Sequence, residues 1–148
     1  MSKFWLLGVI FLLSSTGWGV TYQVVVPGKA VLAQGRQEVD LKKHSVGAVT
    51  HHLLSYHAKK GDFTYEGVPE GVHSIAGLGS QTKILSDEEM LTYGWCFQLN
   101  GKTLKTLPHQ SRFVSQEDRL VWFYAYAHYK RGKWLGGCIP ANQAPGSF

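Results

Sequence analysis

"LVWFYAYAHY", residues 120–129, alternates strictly and is the longest strand signal in the chain. Leu120, Trp122, Tyr124, Tyr126 and His128 fall on one face, and Val121, Phe123, Ala125, Ala127 and Tyr129 on the other. A strand apolar on both faces belongs inside a sheet, so the remaining elements are placed around it. "GWCFQLNGK", residues 94–102, supplies a second aromatic strand, with Trp95, Phe97 and Leu99 on its dry face. It ends in Asn100-Gly101, a two-residue hairpin signal, because both turn positions must accept positive φ. Thr21–Val26 is rich in β-branched residues and stops at Pro27-Gly28, and the alternating stretch Arg36–Leu41 is a candidate partner for it.

One helix stands out. Ser45 offers an N-cap hydroxyl, while Val46, Val49, Leu53 and Tyr56 recur at helical spacing and Gly61 provides the stop. Residues 62–79 hold many glycines and prolines, with a short strand candidate at Val72–Ile75. Asp87–Met90 reads as a helical turn, Pro108–Ser115 as loop, and Asp118 as the residue introducing the long strand. A hairpin, a helix and further strands predict an α+β fold, one main helix packed on a mixed or antiparallel β-sheet.

The opening residues have the order of a secretory leader: Lys3, then the apolar run Phe4–Leu13, then small and polar residues up to Gly19. The run is about half the ~20 residues a membrane-spanning helix needs. Cleavage after Gly19 would leave residues 20–148 as a single domain, with 130–148 as a C-terminal tail. No cysteine follows the run, so the expectation is a secreted or periplasmic protein, not a lipoprotein, with no stable membrane insertion after cleavage. In an oxidising compartment Cys96 and Cys138 read as a disulfide that ties back the tail. Closing their 42-residue separation is worth up to about 4 kcal/mol in the chain-entropy view.

Lys and Arg number 15 and Asp and Glu 10. The basic residues are scattered, which gives no reason to expect a nucleic-acid partner. His44, His51, His52 and His57 lack the i, i+4 spacing of helix-borne zinc ligands and read as residues on the helix's wet side. Ser74 and Ser80 have no G-x-S-x-G elbow, and "GLGS" at 77–80 lacks both a P-loop lysine and dinucleotide spacing. The expectation is a protein that is not an enzyme, with no metal and no firm cofactor. Leu120, Trp122 and Phe97 are assigned to the core. Tyr126 and His128, near the strand's end, are candidate binding residues alongside Trp95 and the glycine-rich segment 71–79, which contains His73 and Ser74.

Together the pieces resemble the secreted family related to the C-terminal domain of transcobalamin and intrinsic factor. The resemblance runs through "SVGAVTHHLLSY" (45–56), "FTYEG" (63–67), "HSIAGL" (73–78), "GWCFQLNGK" and "SQEDRLVWFYAY" (115–126). Ala76 departs from the asparagine common in the family, and the cysteine pair and the extension past the last strand are additions. The resemblance implies a small grasp-like domain with a binding role, its candidate ligand cobalamin or a related flat hydrophobic small molecule. In the vitamin carriers this domain caps a helical domain that is not found in this sequence, so the resemblance implies only part of a cobalamin site. The rival expectation is an interaction or structural domain that meets another envelope protein through a sheet edge or the face of Val121 and Phe123.

Overall fold

A computed structural model describes residues 18–28 and 30–145. The apolar run of the expected leader lies outside the described residues. Among the described residues no helix is long and apolar enough to cross a membrane.

The long strand is β9, Arg119–Lys130, and it is the axis of the molecule. On one side it pairs antiparallel with β7, Glu89–Leu99, along its whole length, from Leu99↔Leu120 to Glu89↔Lys130. On the other side it is shared. Its first half runs parallel to β1, Val20–Val25, and its second half antiparallel to β10, Lys133–Pro140. β2, Val31–Gln37, extends the sheet beyond β1, and β6, Gln81–Ser86, extends it beyond β7. The two-residue β8, Lys102–Thr103, closes the Asn100-Gly101 hairpin on β7. The sheet is therefore mixed. A smaller antiparallel sheet is formed by β3, Tyr65–Val68, β4, Gly71–Ile75, and β5, Leu78–Gly79.

The helix α1 spans Val46–Lys60 as its signals predict. The Ser45 hydroxyl accepts from the Ala48 N–H at 3.1 Å, and Gly61 ends it in the left-handed region at φ 82°. Val46, Val49, Leu53 and Leu54 are buried against β1, β7 and β9, and the Trp122 indole N–H donates to Thr50 Oγ1 at 2.9 Å across that interface. Leu120, Trp122 and Phe97 lie in this core, at 1%, 3% and 6% exposure. Tyr56 does not. It is 55% exposed, because the stripe rolls toward Leu54 and leaves the Tyr56 ring beside the Lys60 ammonium at 5.4 Å.

Other expectations need correction. Asp87 and Glu88 form the turn between β6 and β7, and Glu89 and Met90 belong to β7, where cross-strand pairing with Lys130 and Tyr129 overrides any helical turn. The partner of β1 is Val31–Gln37, so Val39 and Leu41 lie past the strand, Val39 buried and held by Gln116. The tail is mostly strand. Arg131 and Gly132 both take positive φ, 49° and 78°, and turn β9 back into β10.

The disulfide is formed. Cys96 and Cys138 are bonded with Cα atoms 5.8 Å apart. Because β7 and β10 flank β9 on opposite sides, the bond crosses over β9. Cys138 reaches it by leaving the ladder: the register shifts between Gly136 and Ile139, and Cys138 has a φ of 52°. Two further signals hold. Asn100 and Gly101 take φ of 53° and 77°, and buried Asp118 accepts from the Val114 N–H (2.7 Å), the Ser115 N–H (3.2 Å) and Asn100 Nδ2 (2.9 Å).

Candidate functional site

Trp95 is where the aromatic strands meet the glycine-rich segment. Its indole N–H donates to the Leu78 carbonyl at 2.7 Å, and the Tyr124 hydroxyl, one strand over, donates to the Gly79 carbonyl at 2.7 Å. These two bonds fix the small sheet onto the face that α1 also covers. Ring contacts continue outward, edge-on from Trp95 to Tyr124 at 5.4 Å, stacked from Tyr124 to Tyr93 at 6.0 Å and tilted from Tyr93 to Tyr126 at 5.7 Å. Burial raises the Tyr124 hydroxyl above the ordinary phenol value, with Tyr93 adding to it, so it acts here as a neutral donor.

The five expected site residues do not gather at one point. Trp95 and Tyr126 share the cluster around Tyr93 and Tyr124. His128 lies further along β9, its Nε2 2.7 Å from Glu89 Oε1, with Lys130 Nζ 3.1 Å from Glu89 Oε2. The hydrogen bond from His128, and after it Lys130, holds the Glu89 carboxyl below its ordinary value. His73 is exposed on β4, and Ser74 is paired between Glu66 and Gly79. A groove of about 290 Å³ includes Trp95 but none of the other four. Trp95, Phe97, Val72, Leu104, Leu107 and Pro108 give it an apolar wall, and Glu70, Lys105 and Thr106 supply polar groups. This is near the lower end of small-ligand pocket sizes. The segment 104–108 is the part that sequence reasoning missed; its signal is two leucines in a loop, and Leu107 is 53% exposed.

The four histidines between residues 44 and 57 are not uniformly wet. His44 and His52 are exposed, but His51 meets the Tyr65 hydroxyl at 3.1 Å, and His57 lies between two partners. Its Nε2 is 2.8 Å from the Tyr22 hydroxyl and its Nδ1 is 2.7 Å from Asp62 Oδ2, while Phe63 stacks on the ring at 5.5 Å. With Nδ1–H donating to Asp62, Nε2 accepts from Tyr22. The hydrogen bond from His57 is the main cause of a lowered Asp62 carboxyl, whereas burial raises the Tyr22 phenol, and burial pushes Tyr65 up to about 12. A phenol raised in this way is not an activated nucleophile at neutral pH. The array ties the end of α1 to β1 and to the start of the glycine-rich segment. Among the described residues no three His, Cys, Asp or Glu side chains gather as a metal-binding set.

No protein family, curated protein or solved structure matches the chain. The resemblance to the transcobalamin-related family therefore rests on the quoted motifs alone.

Proposed function

We propose that this chain is an exported, non-catalytic binding module of the transcobalamin C-terminal type. Its ligand is a flat hydrophobic small molecule, with a corrinoid such as cobalamin as the first candidate. The observation that carries the reading is the groove at Trp95, where an aromatic wall, the segment beginning at Gly71 and the loop 104–108 converge. An apolar cleft with a few polar groups is what such a ligand needs. Two features support the grasp-like reading: β1 and β2 form a hairpin ahead of α1, and β1 then lies parallel to β9 at the centre of the sheet. Export is supported by the leader-like residues 1–19 and by the Cys96–Cys138 bond.

Titration of the protein with cobalamin, cobinamide and haem, followed by tryptophan quenching, tests this reading. Saturable quenching by at least one of them is expected. Leu107→Asp, which places a charge on the exposed lip of the groove, should weaken that binding tenfold or more, about 1.4 kcal/mol, without lowering the melting temperature. Absence of saturable quenching by all three would favour the alternative, an envelope interaction or structural domain without a small ligand. On one of the surfaces expected for that alternative, Phe123 is only 7% exposed. What favours it is the pair Ile84 and Trp134, 67% and 57% exposed at the far end of the sheet.

A further inference from the structure

The sheet face turned away from α1 carries a row of apolar side chains that crosses four strands in register. Ile84 pairs with Met90, Met90 with Tyr129, and Tyr129 with Trp134. Directly paired residues point to the same side, so the four stand side by side over roughly 15 Å, three strand spacings. The two ends of the row are the most open, and the Trp134 ring contacts Tyr129 edge-on at 5.3 Å. The residue after each end, Leu85 and Leu135, falls at a register irregularity and is 47% and 60% exposed. Irregular, twisted edges resist the addition of another strand. The exposed end of this face, not the edge, is therefore the available surface; nearer its middle Phe123 and Ala125 are buried.

Charge selects the partner. None of the positions that the register assigns to this face is acidic, although the chain has ten acidic residues. At the other end of the same face stand Arg36 and Arg119, both exposed. Of the acids nearest the row, Glu88 is matched by Arg131 at 3.3 Å and Glu89 by Lys130 at 3.1 Å, and Asp87 lies in the turn between β6 and β7. A face with Trp, Tyr and aliphatic groups at one end, the Cys96–Cys138 bond nearer its middle and arginines at the other end suits the interface of an anionic lipid bilayer. Insertion tip-first is disfavoured, because the turns carry Asp87, Glu88 and Arg131. We infer that this face docks flat and peripherally on anionic membrane surfaces, with Trp134 and Ile84 entering the headgroup region.

The test uses the full chain with its disulfide intact and vesicles of phosphatidylcholine, with or without phosphatidylglycerol. The apolar run 4–13 is common to every variant, so the readout is made local to the face. Bromine-labelled acyl chains should quench emission in the presence of phosphatidylglycerol, and Trp134→Phe should remove a distinct part of that quenching. Ile84→Ser with Trp134→Ser should lower partitioning at least tenfold at an unchanged melting temperature. Arg36→Gln with Arg119→Gln should lower it on anionic vesicles and flatten its dependence on salt. Quenching that is unaffected by Trp134→Phe, or Trp134-dependent quenching that is equal on neutral and anionic vesicles, overturns the inference. A dimer that is lost in the double-serine variant, with no vesicle binding by the parent chain, overturns it as well and makes a second copy of the chain the occupant.

Discussion

Trp122 joins α1 to the central strand, through area and through one hydrogen bond to Thr50. Trp122→Ala should cost about 3–5 kcal/mol, read from denaturant unfolding. An unchanged unfolding midpoint would mean that the indole contributes nothing to the core. Glu89 and Asp62 contribute to the acid dependence of stability. Both carboxyls have folded-state values below their unfolded ones, held there by His128 and His57 respectively. Their contribution is complete above the ordinary carboxylate value, roughly pH 4, and is lost as pH falls through the lowered values. His128→Ala should therefore move the Glu89 titration midpoint up toward the ordinary value, observable by carboxyl-carbon NMR. A midpoint that stays in place would assign the shift to Lys130 instead.

At the scale of elements, Gly47 limits how closely α1 can approach its neighbours. A Cβ there would lie 1.8 Å from the Pro69 carbonyl oxygen, so Gly47→Ala must displace backbone, at an expected cost of about 3 kcal/mol. Wild-type stability in that variant would show that α1 and the turn after β3 slide freely. Replacing both cysteines by serine should cost about 2–4 kcal/mol and raise hydrogen exchange first in β10. Uniform exchange across β9 and β10 would mean that β10 needs no tether. These elements also mark what the sequence disclosed. The helix was legible because its cap, stripe and stop are all local, and so were β9 and the Asn100-Gly101 turn. β10 was not, because Gly136 and Gly137 interrupt its pattern and its turn is Arg131-Gly132, without an asparagine. Trp95 and the glycine-rich segment could be singled out, but the loop 104–108 that completes their groove becomes a neighbour only through tertiary packing.

At the scale of the whole molecule, the sheet is completed by its ends. β1 cannot take its central position until β9 exists, so residues 21 and 119 must meet. Non-local parallel pairing of this kind slows folding relative to hairpins. The two faces of the resulting sheet divide the proposed roles. The face under α1 carries the groove at Trp95, and the opposite face carries the row from Ile84 to Trp134. A ligand and a surface could be held at once without competing for side chains.

The Cys96–Cys138 bond also decides how the molecule responds to being pulled. Tension applied at the two chain ends passes from Cys138 straight into Cys96, so the 42-residue separation between them is bypassed. All of β9, most of β10 and the Asn100-Gly101 turn then lie outside the stretched path. At about 3.5 Å per extended residue, the unfolded chain comes up roughly 150 Å short of its reduced length. Single-molecule extension before and after reduction should differ by that amount. Equal lengths would mean that the bond had not formed. Wherever this protein is anchored at one end and gripped at the other, reducing conditions would lengthen it.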